Sequence, residues 1–270
     1  MHRKKTENLP IGIFDSGVGG LSVWREIIKL IPGHPLLYFA DNAYCPYGPR
    51  PKEEIIKRTE KISSFLIEKG AAIIVVACNT ATSAAISSLR SKFQVPFVGM
   101  EPAVKPAANF SKSGVIGVLA TKGTLTGELY NSTLEKYASE IKVVEKVGTG
   151  LVALVEEGKL SGQKTEKLLR VYIEPMLEEG ADNIVLGCTH YPFLKPEIEK
   201  IAGRGVNVLD PAPAVAKQLF KIAKELEILK DESSFLNTQF YSSGPNDILK
   251  SLSRTIHPGI TDDKYEIINL

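Results

Sequence analysis

The sequence predicts an α/β protein: two pseudo-symmetric, doubly wound parallel-sheet lobes with a candidate active site in the cleft between them. Three observations carry this. Short apolar runs alternate with longer amphipathic ones, the pattern of βαβ units. The apolar runs are unbroken, as in Ala72-Ile73-Ile74-Val75-Val76, which suits parallel strands buried on both faces. Two strand ends also recur along the chain. Ile73-Ile74-Val75-Val76-Ala77-Cys78-Asn79-Thr80 is echoed 110 positions later by Asn183-Ile184-Val185-Leu186-Gly187-Cys188-Thr189-His190. Ile11-Gly12-Ile13-Phe14-Asp15-Ser16 is echoed 105 positions later by Ile116-Gly117-Val118-Leu119-Ala120-Thr121.

In chain order, residues 11–14, 35–39, 73–77 and 97–98 read as strands, with helices over 20–30, 51–69 and 80–92 between them. The second of these helices has the clearest spacing. Ile55, Ile56, Thr59, Ile62, Ser63, Leu66 and Ile67 form one face, and Lys, Arg and Glu the other. The second half repeats the plan: strand 115–119, helix 124–138, helix 164–179, strand 183–186, strand 206–209 and helix 213–229. The lobes are expected to comprise 1–99 with 211–270, and 100–210. The two tails and residues 231–234 are the least ordered segments expected.

Composition removes several functions. The net charge of +2 comes wholly from residues 1–10, where Arg3, Lys4 and Lys5 face Glu7, so residues 11–270 are formally neutral. A nucleic-acid binder should carry a basic excess, and single-strand platforms want more aromatics than the 7% present. No stretch approaches the roughly 20 apolar residues of a membrane span, and the start of the chain lacks the apolar core of a signal peptide. Three widely spaced cysteines, Cys45, Cys78 and Cys188, argue against a disulfide framework or a zinc knuckle and point to a reducing, cytoplasmic setting.

Ligands of open α/β sheets bind beyond the carboxyl ends of the strands, and Cys78 and Cys188 both sit at such ends. Either cysteine alone is better read as a small buried hydrophobe. As a pair in matching contexts, each followed by polar residues, they point to chemistry. A thiol of pKa ~8.5 costs about 2 kcal/mol to ionise at pH 7, and a helix N-terminus returns about 0.3–1 kcal/mol, so neighbouring groups must help. Two close thiols resist double ionisation, which favours one thiolate and one thiol. That state suits an acid and a base on opposite faces of one carbon.

Asp15-Ser16-Gly17-Val18-Gly19-Gly20 closes the first strand. It departs from a dinucleotide fingerprint at Ser22, where glycine is required, so NAD is rejected. Its glycines leave backbone N–H groups open to an anion, and Asp15 there suits a substrate ammonium. A plain strand–helix turn explains the same segment equally well. Tyr47-Gly48-Pro49-Arg50-Pro51 is turn chemistry before a helix. His190, two places after Cys188, suits a general acid/base partner. Glu156 ends an apolar helix, where a solvated end is the bland reading, and Cys45, before Pro46, reads as incidental.

The chain resembles the cofactor-independent aspartate/glutamate racemases, and glutamate racemases in particular, over roughly residues 10–245. The resemblance rests on Gly12-Ile13-Phe14-Asp15-Ser16-Gly17-Val18-Gly19-Gly20-Leu21, Pro46-Tyr47-Gly48, Ala77-Cys78-Asn79-Thr80-Ala81 and Gly187-Cys188-Thr189-His190-Tyr191-Pro192. Aspartate racemases usually carry Glu where His190 stands.

The resemblance implies an isomerase. In it one thiolate removes the α-proton of glutamate and the other thiol protonates the opposite face, with Cys78 acting on D-glutamate and Cys188 on L-glutamate. It assigns Asp15 to the Cys78 side and His190 with Glu156 to the Cys188 side. Asp15, Ser16, Tyr47, Gly48, Asn79, Thr80, Thr189 and His190 are implied to hold the substrate. It implies no pyridoxal phosphate or other cofactor and no metal, leaves a homodimer open, and implies a role in supplying D-glutamate for peptidoglycan and cell shape. The chain departs from the family at Gly148-Thr149-Gly150, where Ala-Cys-Pro is frequent, and at Tyr44, where Arg is frequent.

Other readings are a related racemase for aspartate or a hydantoin, a thiol hydrolase using one Cys–His pair, and a two-lobed amino-acid binding protein. His190 argues against aspartate, and neither of the last two uses a second strand-end thiol. Loss of optical rotation from one glutamate enantiomer, without loss of mass, separates a racemase from both.

Overall fold

The structure is a computed structural model that describes residues 8–229 and 236–270. Segment 231–234 and residues 1–7 of the N-terminal tail, both expected to be poorly ordered, lie outside the described residues. Among the described residues, ten strands form two sheets. The first contains β1 (Ile11–Asp15), β2 (Leu36–Ala40), β3 (Ile73–Val76), β4 (Phe97–Gly99), β9 (Thr238–Ser242) and β10 (Tyr265–Ile267), in the order β10-β9-β2-β1-β3-β4. The second contains β5 (Val115–Ala120), β6 (Lys142–Val147), β7 (Asn183–Gly187) and β8 (Asn207–Leu209), in the order β6-β5-β7-β8. Every strand pair is parallel.

The sequence echo is a structural one. Ile11 pairs with Ile73 in the first sheet, and Ile116 with Asn183 in the second. The echoed positions therefore occupy the same register in both sheets, so Ser16 and Cys78 emerge side by side, as Thr121 and Cys188 do. The central strands β1, β3 and β7 are buried along their whole length, as their unbroken apolar sequences require.

Helices cover both faces. In the helix Lys52–Glu68, Ile55, Thr59, Ile62, Ser63 and Leu66 are buried, and Glu53 and Glu54 occupy the first turn, where the helix dipole favours acids. One apolar core runs across both lobes, from Ile13 and Trp24 through Leu119 to Leu186, and the helix Ala212–Glu225 adds Leu219 to it. A second cluster around Phe14, Ile62 and Val76 fills the other face of the first sheet, and a third around Ile116 and Val185 that of the second.

Three expectations change. The helix expected over 124–138 is two, Lys122–Leu125 and Glu128–Tyr137. The break falls at Gly127, which lies so close to Ser83 that a β-carbon there would stand 1.6 Å from its Oγ. The C-terminal tail is ordered: β10 joins the first sheet, and Arg58 Nη1 donates to the main-chain oxygen of Leu270 at 2.8 Å. The strands β6, β9 and β10 had no counterpart in the sequence reading. Among the described residues no helix is long and apolar enough to cross a membrane.

Candidate active site

The carboxyl ends of β1, β3 and β7 converge on a small cavity of about 10 Å³, room for about one water molecule. Cys78 and Cys188 both line it, one from each lobe. The echo recurs in its walls: Ser16 and Thr121, Cys78 and Cys188, Asn79 and Thr189, and Thr80 and His190 all face it. Tyr47, Gly48, Pro46 and Val152 complete the lining. Thr121, not among the expected site residues, is the echo of Ser16, and that repeat is its signal in the sequence. Thr80 Oγ1 and Thr121 Oγ1 lie 2.8 Å apart, joining the lobes at the cavity edge.

Cys78 is the N-cap of the helix Asn79–Lys92, and its Sγ accepts the Ala81 N–H at 3.4 Å. Burial first, and then the negative charge of Asp15, push its thiol well above the ordinary cysteine range, against the pull of that N–H. Cys78 is therefore protonated at neutral pH. Both polar atoms of the Asn79 side chain are buried and have no hydrogen-bond partner. A buried amide left so costs about 1–3 kcal/mol, which a polar ligand in this cavity would recover.

Asp15 and Glu156 stand one step behind the cavity wall. Three N–H groups of the glycine loop, expected to await an exogenous anion, are taken by these two carboxylates. Asp15 accepts from Ser16 N–H at 2.7 Å and Gly20 N–H at 2.6 Å, and Thr189 Oγ1 donates to it at 3.3 Å across the cleft. Burial raises the pKa of Asp15, opposed by the nearby His190 and by hydrogen bonds from Cys78 and Ser16. Glu156 Oε1 accepts the Val18 N–H at 2.8 Å, from 138 positions away.

The other wall is built on His190. Its Nδ1 lies 3.7 Å from Cys188 Sγ and its Nε2 2.6 Å from Glu156 Oε1. Burial disfavours an imidazolium, but hydrogen bonds with Cys188, Cys45 and Glu156 overcome it and lift the His190 pKa well above its usual value. Burial opposes the charge on Glu156 too, and His190 outweighs it, so Glu156 is held below the usual carboxylate range. The reach of Glu156 depends on the segment that departs from the family. Gly150, the N-cap of the helix Leu151–Glu156, has a φ of 86°, left-handed backbone that glycine adopts at no cost. Tyr191 OH donates to Gly148 O at 3.2 Å and ties that turn to the His190 segment.

Cys45 is not incidental. Its Sγ lies 3.4 Å from Glu156 Oε1, and burial pushes its thiol up to about 11, with His190 pulling it back. Nothing local marks it, because its partner is 111 positions away. Tyr47 is held from behind: its hydroxyl donates to Asp41 at 2.5 Å, and Asp41 forms a buried ion pair with Arg58 at 2.6 Å.

Residues 11–219 match the family model of Asp/Glu/hydantoin racemases. A glutamate racemase from Roseiflexus is 49% identical over 223 residues, 82% of each chain. The fold matches a glutamate racemase isoform from Bacillus anthracis with a TM-score of 0.84, at 30% identity and 98% coverage of both chains. It also matches an Escherichia coli glutamate racemase in complex with L-glutamate and the activator UDP-MurNAc-ala, with a TM-score of 0.83 at 29% identity, over 97% of this chain and 98% of that one. With the matched cysteine-bearing strand ends at one cavity, these likenesses establish that the chain belongs to the Asp/Glu/hydantoin racemase family.

Proposed function

We propose that the chain is a glutamate racemase that interconverts L- and D-glutamate with two thiols and no cofactor, and so supplies D-glutamate for peptidoglycan. One observation carries the reading: two thiols from pseudo-symmetric strand ends line the same cavity from opposite lobes. From L-glutamate, the Cα–H proton passes to the thiolate of Cys188, and Cys78 gives its Sγ–H proton to the opposite face. The reverse reaction runs from the complementary state. The protonated Cys78 of the free protein is poised for the first direction. His190, held positive by Glu156, places a cation beside Cys188 Sγ. Asp15 acts on Cys78 from behind the wall, and Ser16, Asn79, Thr80, Thr121 and Thr189 offer hydroxyl and amide groups to the carboxylates and ammonium of the substrate. Glutamate is favoured over aspartate by His190 and by the names of the relatives.

The test is racemisation of L-glutamate in heavy water. Two bases predict that early D-glutamate carries deuterium at Cα while residual L-glutamate stays protium. Cys78→Ala and Cys188→Ala should each abolish turnover. Product that retains the substrate proton, or near wild-type racemisation by either variant, would falsify the pairing.

A further inference from the structure

Cys45, Glu156 and His190 gather three different donor atoms in one place. Sγ, a carboxylate oxygen and an imidazole nitrogen all lie within 4.8 Å of one another. We propose that they form a binding site for zinc or a similar divalent cation, and that its occupancy arrests the racemisation proposed above. The inhibitory part rests on that reading. The binding part does not.

The chemistry of the set is that of zinc, which takes thiolate, imidazole and carboxylate at about 2.0–2.3 Å in tetrahedral sites. That geometry separates ligand atoms by roughly 3.3–3.8 Å. Cys45 Sγ and Glu156 Oε1, 3.4 Å apart, already meet it. Glu156 Oε1 and His190 Nε2, at 2.6 Å, must part by roughly 1 Å. Glu156 can supply that movement, because it is the last residue of a short helix and its side chain is 21% exposed. A supporting shell is in place. The second ring nitrogen of His190 faces Cys188 Sγ, and the Val18 N–H orients the Glu156 carboxylate, the kind of outer contact that fixes metal ligands. With three protein ligands, the fourth position stays open to water or to a substrate carboxylate.

Binding needs no oxidant. The cation displaces the proton of Cys45 Sγ and the Nε2 proton of His190, and both pass to solvent. Glu156 exchanges its hydrogen bond with His190 for the metal. With its Nε2 on the metal, His190 is parted from the Glu156 carboxylate that positions its ring against Cys188, so the Cys188 side loses that support.

Cobalt(II) is the probe, titrated into the full chain after treatment with chelator and reductant and then desalting. The expected result is saturable binding of one cobalt per chain, with a thiolate-to-cobalt band in the near ultraviolet. The band should be lost in Cys45→Ala and in Cys45→Ser and kept in Cys188→Ala. Cys45→Ser keeps the size of the side chain, so one of the two serves even if the other folds poorly. Zinc should inhibit the wild type reversibly, with chelator restoring activity, and each Cys45 variant should need at least roughly tenfold more zinc for the same fractional inhibition. A band that survives both Cys45 substitutions, a band that disappears in Cys188→Ala, or the absence of saturable binding overturns the site. The spectrum requires no turnover, so a chain that binds cobalt this way but does not racemise glutamate refutes only the function.

Discussion

Gly19→Ala is a one-carbon test of the Cys188 wall. A β-carbon at Gly19 would stand 2.3 Å from His190 Nδ1 and 2.7 Å from Thr189 Oγ1, where ordinary contact begins near 3.4 Å. The backbone of Gly19 lies outside the left-handed region, so alanine brings no dihedral strain and the whole effect is contact. His190 is buried and pinned by Glu156, so it must yield by about 1.1 Å along the edge that faces Cys188. A displacement of about 1 Å at a positioned catalytic group costs about 10²-fold, or about 2.7 kcal/mol of transition-state stabilisation. The assay is polarimetry from each pure enantiomer. The two enantiomers have equal free energy in water, so kcat/KM must fall equally in both directions. The asymmetry belongs in kcat and in the primary isotope effect, which should rise mainly with α-deuterated L-glutamate. A Gly19→Ala protein with unchanged melting temperature and a kcat for L-glutamate within about threefold of wild type refutes the claim that His190 must hold this position.

Glu156→Gln removes the carboxylate that helps hold the His190 proton, so the His190 pKa falls and the alkaline limb of the pH–rate profile should move to lower pH; an unmoved limb refutes the pairing. Arg58→Met leaves Asp41 charged and buried without its partner, which costs about 3–5 kcal/mol in urea unfolding and should raise KM through Tyr47; a loss below about 1 kcal/mol refutes it. Burial disfavours the charge on Asp182, but N–H groups of Ser113 and Lys112 and the Ser111 hydroxyl outweigh it and hold its pKa at about 2, below the usual 3.8. Its charged form therefore stabilises the fold above the ordinary carboxylate range, and that stability is lost as pH falls through about 2. Asp182→Asn should cost about 1 kcal/mol or less at neutral pH, given solvent screening, and nothing at the acid end; a cost independent of pH refutes the linkage.

The parts of the site legible in the sequence were those whose signal is local. Buried central strands announce themselves as apolar runs, and the strand-end echo is legible because both copies keep the spacing and the chemistry. The strands β6 and β9 carry no such run. In β6 the sequence Lys-Val-Val-Glu-Lys-Val leaves half its residues facing water, and β9 reads Thr-Gln-Phe-Tyr-Ser, so both depend on their neighbours for their form. Cys45 and the Val18–Glu156 bond were illegible for a different reason: their meaning lies wholly in partners more than a hundred positions away. The glycine loop was half legible. Three of its N–H groups do bind anions, but these anions are the protein's own carboxylates.

That last point explains how a nearly symmetric scaffold carries unlike walls. The glycine loop belongs to the first lobe and receives one carboxylate from each. Asp15 comes from its own strand, and Glu156 comes from the second lobe. On the first wall the captured carboxylate stands directly behind Cys78, and its charge helps keep that thiol protonated. On the second wall a histidine is interposed, so the captured carboxylate holds a cation against Cys188. The same loop thus keeps a negative charge behind Cys78 and, through His190, a positive charge beside Cys188, although the strands that present them are in the same register. Parting the lobes breaks Val18–Glu156, the Ser22 hydroxyl to Thr189 O and Thr189–Asp15 together, because all three cross the cleft from this loop or the turn after it. On the proposed mechanism, these bonds across the cleft also keep water from the deprotonated Cα.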